Sequence, residues 1–168
     1  MNASRPQAGR RPAPQGRPRT GSRVAAIQAL FQSEVNNESA EAVIDQFLRH
    51  RIGPEAVGGF EDGRVPVADV PLFTELVRGV ARQAESLDEI VAGHLAKEWT
   101  MARLDPVLRA LLRAAAFELS SGNQPPARVV INEYMDIAHG FFGGEEPRFA
   151  NGVLDAMARS LRGAEFQR

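Results

Sequence analysis

Cysteine is absent from this 168-residue chain, which removes thiol nucleophiles, Cys-ligated zinc, iron–sulfur clusters and redox switching from its possible chemistries. A chain near this length buries roughly 70% of its unfolded surface and needs no disulfide or metal to hold a core. Long apolar runs are missing too. No stretch of eighteen apolar residues occurs, and the N-terminal arginines are not followed by the apolar segment of a signal peptide. These absences predict a cytoplasmic protein with no membrane span. Lysine is nearly lacking as well: of the 20 basic residues only Lys97 is lysine.

What is present is unevenly spread. Residues 1 to 23 carry Arg5, Arg10, Arg11, Arg17, Arg19 and Arg23 with no acidic residue, so within a net charge of −1 this segment is +6 and the remainder −7. A cationic arm on an acidic body suits a protein that grips a polyanion while the body docks elsewhere. The first 21 residues contain four Pro and three Gly and, Met1 apart, no large apolar side chain. They cannot bury enough surface to offset their ordering entropy, which predicts a disordered, partly polyproline II arm over 1–21.

From Ser22, a candidate N-cap, the pattern becomes helical. Val24, Ile27, Leu30, Phe31 and Val35 recur at three- and four-residue spacing. A second periodic run holds Val43, Ile44, Phe47 and Leu48 behind Ser39. Residues 50–68, with four Gly and two Pro, read as a long surface loop. A stripe from Phe73 to Leu95 is one long helix or two meeting near Ser86, where Ser86 and Glu89 have capping-box spacing. Asp105-Pro106 gives a clean helix start for a run reaching Leu119. Pro125-Pro126 opens a segment from Val129 to Phe141 whose longer helical spacing outweighs the β-branched Val129-Val130-Ile131. Gly143-Gly144 ends it, and a last helix runs from about Pro147 through Phe149, Val153, Leu154, Met157 and Leu161. The pattern predicts an all-α bundle of six or seven helices over 22–165.

Catalytic constellations are not evident. His50, His94 and His139 lie in three separate elements without metal-ligand spacing, no phosphate-binding glycine loop occurs, and Asp88-Glu89 and Glu145-Glu146 read as solvated acidic faces. No metal, cofactor or enzymatic activity is expected. The arginine arm is the better lead, because Arg17, Arg19 and Arg23 lead directly into the first helix and would be held near a folded surface as a phosphate clamp. Phe149 follows Pro147-Arg148, where an exposed ring beside a cation can stack on an unpaired base. Helical period alone places Phe149, like Phe31 and Tyr134, in the core.

Three sets of segments resemble the NusB family of bacterial transcription antitermination factors. They are Arg23-Val-Ala-Ala-Ile-Gln-Ala-Leu-Phe31; Phe73-Thr-Glu-Leu-Val-Arg-Gly-Val80 with Leu87-Asp88, Arg103-Leu-Asp105 and Leu111-Leu-Arg-Ala-Ala-Ala-Phe-Glu-Leu119; and Val130-Ile-Asn-Glu133 followed by Phe149-Ala-Asn-Gly-Val-Leu-Asp155. The resemblance covers nearly everything from 22 to 162. It implies a helical protein of two small subdomains that binds the boxA RNA of nascent ribosomal-RNA transcripts. It would act with the ribosomal protein NusE, other Nus factors and RNA polymerase. It also implies an RNA surface made of the arginine-rich stretch and the aromatic at Phe149, and a functionally sensitive Phe31. The candidate RNA-binding residues are therefore Arg17, Arg19, Arg23, Phe31, Arg148 and Phe149, with Phe149 at least partly exposed.

Two departures stand out. The family's run of consecutive arginines is diluted here to Gly16-Arg-Pro-Arg-Thr-Gly-Ser-Arg23, which shifts affinity toward the partner protein, and the 50–68 loop looks like an insertion. The alternative function is a helical protein-interaction scaffold without specific RNA binding. Similar helical modules also precede RNA cytosine methyltransferase domains, but that activity needs a cofactor-binding α/β domain and a catalytic Cys, and this chain has neither.

Overall fold

Helix α5 (Pro106–Ser120) is the axis on which the rest is laid, and its sequence explains why. Ten of its fifteen residues are buried, from Leu108 to Leu119. A helix apolar on nearly every side must be surrounded by other elements. The computed structural model describes residues 17–52 and 68–167. Around α5 lie α1 (Pro18–Asn36), α3 (Val70–Arg82), α4 (Ala84–Ala92), α6 (Ala127–Phe141) and α7 (Glu146–Leu161), while α2 (Ala40–His50) packs on α1 and α3. Short 3-10 turns cover Met101–Arg103 and Gly163–Phe166. Seven α-helices and no strand are present among the described residues. Helices α1–α3 pack on one another and α4–α7 pack around α5, and one continuous apolar cluster runs through both groups.

Several ends are set by local chemistry already visible in the sequence. The Ser39 side chain accepts from the Ala42 N–H, Asp69 from Leu72, and Asp105 from both Val107 and Leu108 with Pro106 following it. The stripe beginning near Phe73 is two helices, broken at Gln83 rather than Ser86. Ser86 lies inside α4 and donates its hydroxyl to the Gln83 carbonyl.

Helix α1 begins five residues earlier than expected. Ser22 is not its cap: Arg17 has extended φ/ψ, Pro18 supplies the first helical turn, and Ser22 is buried one turn inside. The cause is tertiary. Ser22 donates to the carbonyls of Pro18 (3.0 Å) and Asp69 (2.6 Å), the Asp69 N–H donates to Pro18 (3.1 Å), and the Thr20 hydroxyl donates to Glu133 (2.8 Å). The small side chains of Gly21, Ser22, Ala25, Ala26 and Ala29, all buried, let α1 sit close to its neighbours. The helix thus takes in 18–21, which the sequence assigned to the arm; residues 1–16 of that arm, and 53–67 of the 50–68 loop, lie outside the described residues. Val35, Leu48, Val129 and Phe141, counted in apolar stripes, are exposed.

The antiparallel α1–α5 pair is tied at both ends. Near the start of α1, Arg23 pairs with Glu118 at 2.8 Å. Near its end, Glu34 receives Arg109 and also Arg113, at 2.7 Å, and Arg113 reaches on to Asp88 of α4 at 2.6 Å. The hydrogen bond from Arg109 leads in holding the Glu34 carboxyl below its usual range. Helix α3 crosses α5 so closely at Gly79 that a Cβ there would lie 2.2 Å from the Phe117 ring.

Candidate nucleic-acid interface

Arginines buried in ion pairs are unavailable to a ligand, so pairing sorts the cations. Among the described residues, Arg23, Arg49, Arg78, Arg109, Arg113, Arg159 and Arg162 have carboxylate partners within 4.0 Å. Arg17, Arg19, Arg51, Arg82, Arg103, Arg128 and Arg148 have none.

Arg23 corrects the expectation of a phosphate clamp. Its residue is 2% exposed, and its Nε and Nη2 donate to the two oxygens of Glu118, each at 2.8 Å. The Tyr134 hydroxyl donates to the same carboxylate at 2.5 Å, and Glu133 stands 3.6 Å from the guanidinium. Burial opposes the Arg23 charge, but Glu118's hydrogen bonds and charge outweigh it and keep the pKa above the ordinary arginine value. Tyr134 is driven the same way, first by burial and then by Glu118 beside it, so its hydroxyl stays protonated well above the usual range. This network occupies four of the most recognisable residues of the sequence and turns them inward.

Phe149 is half-buried, as the resemblance implied. It starts the second turn of α7 behind a buried Pro147, and its ring meets Trp99 at 5.4 Å between centroids, tilted by 55°. Trp99 is 39% exposed, and Arg103 carries its guanidinium 5.4 Å from the indole centroid. The turn that presents them is fixed by hydrogen bonds from Trp99 N–H to Ala96, from Leu104 N–H to Met101, and from Arg103 Nη1 to Glu98. Together with exposed Arg148, these residues open onto a cavity of about 450 Å³ floored by Leu104 and Leu108 and edged by Asp105, Glu145 and Glu146. An apolar floor, two aromatic rings and two carboxylate-free guanidiniums accept a flat unsaturated ring and the phosphates flanking it. The edge carboxylates accept hydrogen bonds from amino groups and oppose phosphate.

The remaining candidates lie elsewhere. Arg17 and Arg19 are exposed at the start of α1, near the α5 end that holds Glu118, whereas the cleft adjoins Leu108 at the other end. Ten residues of α5 and six of α1 separate the two places, about 24 Å at ~1.5 Å per residue. Phe31 is half-buried in a separate groove of about 420 Å³ with Gln28, Val35, Val107 and Phe141. The Gln28 side-chain oxygen there is buried without a partner. Trp99 and Arg103 are the functional candidates that sequence reasoning missed. The available signal was the sole tryptophan standing four residues before an arginine in a polar stretch with no core period.

The family model for the NusB family matches residues 20–159. The chain belongs to the NusB family. It is 60% identical over 151 residues to the transcription antitermination protein NusB of Granulibacter bethesdensis, covering 89% of this chain and 93% of that protein. It is 51% identical to that of Gluconobacter oxydans, covering 87% and 89%. Among solved structures it is similar to T. maritima NusB, with a TM-score of 0.69 and 24% identity over 89% of this chain and 97% of the other. A NusB chain from a complex of the antitermination factors NusB and NusE with dsRNA gives a TM-score of 0.68 at 21% identity, over 84% and 96%. At those identities the structures establish the NusB fold. The matched region contains the buried Arg23–Glu118–Tyr134 network and the Trp99–Phe149 cleft alike. No described helix is long and apolar enough to cross a membrane.

Proposed function

We propose that this protein is a cytoplasmic, non-catalytic transcription antitermination factor that binds the boxA RNA of nascent ribosomal-RNA transcripts together with NusE, favouring processive transcription. One observation carries the RNA part: the Trp99–Phe149 cleft, flanked by Arg103 and Arg148, which have no carboxylate within 4.0 Å among the described residues. Stacking on aromatic rings supplies sequence-tolerant affinity, base-edge contacts supply preference, and phosphate contacts set the register of the strand. Arg17 and Arg19 extend the cationic surface toward the arm. Arg23 has a structural role, and Phe31 fits better in a protein-docking groove, because Val35, Val107 and Phe141 around it offer an apolar face, with Arg51 and the amides of Gln28, Gln32 and Asn36 in the same lining. The family membership, and a solved relative that pairs NusB with NusE and RNA, support the same assignment.

The sole tryptophan makes the test direct, since Trp99 fluorescence reports the cleft alone. Titration with a boxA-like oligonucleotide is expected to quench it, more tightly with NusE present and more tightly than a scrambled strand. Phe149→Ala should cost about 1–3 kcal/mol of RNA affinity, the usual worth of one stacked base, and lower the melting temperature modestly while leaving the protein folded at the temperature of the titration. A protein that binds NusE normally but shows no quenching and no preference between the strands would be the interaction scaffold instead.

A further inference from the structure

The end of α7 opposite the cleft carries a second aromatic ring with arginines gathered over it. The Arg159 guanidinium carbon lies 4.8 Å from the Phe166 ring centroid and that of Arg128 lies 5.9 Å from it. The ring is held in place. Arg162, 5% exposed, donates to the carbonyls of Glu118 (2.8 Å), Leu119 (2.9 Å) and Pro125 (2.7 Å), closing the C-terminus of α5. Glu165, the residue before the ring, accepts from the Ala127 N–H at the start of α6 at 2.9 Å. Arg128 has no carboxylate partner among the described residues, and the Asp155 partner of Arg159 forms an exposed pair, of a kind that contributes little and exchanges readily. A guanidinium lying on a ring keeps its N–H edge directed to solvent with little rotamer freedom left to lose. Two such edges on one rigid ring suit a polyanion with closely spaced charges.

We propose that Arg128, Phe166 and Arg159 form a second RNA platform, taking phosphates of the same single strand that the cleft anchors. This rests on the reading of the cleft given above. Eleven residues of α7 separate Arg148 from Arg159, about 16 Å at ~1.5 Å per residue. A strand stacked at the ~3.4 Å helical rise covers that distance with about five nucleotides. A strand seated in the cleft therefore reaches the platform by following α7, whose face between them carries Asn151, Gly152 and the Asp155 carboxylate that pairs with Arg159.

The test compares the full-length protein with the double variant Arg128→Gln/Arg159→Gln, which leaves Arg162 and Glu165 in place. Each is titrated with a twelve-nucleotide boxA-like RNA and with its four-nucleotide fragment, followed by Trp99 fluorescence. Circular dichroism and the melting temperature verify that both fold alike. The variant should bind the short strand as the parent does, bind the long strand roughly tenfold more weakly at low salt, and show a log–log salt slope shallower by about 1.4, from ~0.7 per lost phosphate contact. An unchanged midpoint and slope for the long strand, with Trp99 still quenched, overturns the platform and leaves the cleft standing. Should neither RNA quench Trp99 in the parent, the cleft reading fails. The platform is then decided by anisotropy of the end-labelled long strand, where the same loss of slope supports it and its absence overturns it.

Discussion

At the scale of single residues, Arg23 and Arg19 stand four positions apart on α1 and do opposite things. Arg19 is exposed and has no carboxylate partner, whereas Arg23 is enclosed with Glu118, Tyr134 and Glu133. Removing one member of a buried ion pair leaves the other charge desolvated, at a cost of about 3–5 kcal/mol. Arg23→Ala is accordingly expected to lose most of the stability of the fold in urea, while Arg17→Ala and Arg19→Ala stay within about 0.5 kcal/mol of the parent. RNA binding measured on an Arg23 variant would then report unfolding, not contact loss. The lone tyrosine gives a second measurement. The Tyr134 pKa is raised in the folded state, so its protonated form contributes stability that is complete below the unfolded value of about 10 and is lost as pH rises through the folded value. Tyrosinate absorbance should therefore appear together with the loss of helical circular dichroism, and Tyr134→Phe should shift that alkaline transition upward. Ionisation at an ordinary pH with the helices intact would contradict the buried network.

At the scale of elements, the sequence was legible wherever a side chain acts on its own backbone or an apolar face repeats. Ser39 and Asp105 each cap the helix their spacing announces, and the runs through Phe47, Leu76, Leu111 and Leu154 are buried as their periods require. Legibility failed where distant residues decide. Thr20 and Gly21 read as the end of the disordered arm and Ser22 as a helix cap, yet contacts with Glu133 of α6 and with Asp69 at the start of α3 recruit all three into α1. The break at Gln83 rather than Ser86 has a local cause instead, since Ser86 uses its hydroxyl on the carbonyl three residues back rather than capping a helix. The candidate site divides the same way. Phe149 and Arg148 could be found because one helix carries both, whereas Trp99 and Arg103 join them only through the fold, from a turn with no period to mark it. Arg23 was misassigned because a guanidinium next to a basic arm looks like part of it, and only the position of Glu118, ninety-five residues away, shows otherwise.

At the scale of the whole molecule, the separation between cationic surfaces decides what length of strand can reach both. The α1–α5 pair carries ion pairs at both ends, one apolar cluster runs through all seven helices, and Gly79 is in close contact with the Phe117 ring. Packing of that density resists hinge motion, so the exposed arginines at the start of α1 and the cleft beside Leu108 are held about 24 Å apart. A strand stacked at the ~3.4 Å helical rise bridges that gap with about seven nucleotides. Affinity measured against strand length is therefore expected to rise in a step: strands of four nucleotides engage the cleft alone, and those of about seven or more also engage Arg17 and Arg19. The step should shrink in Arg17→Ala/Arg19→Ala, which ought to bind short strands as the parent does. The acidic remainder of the chain sharpens the contrast, because a body of net −7 repels any length of strand that finds no guanidinium. A smooth rise with length, unaffected by those two substitutions, would mean that the start of α1 takes no part and that the cleft holds the RNA without it.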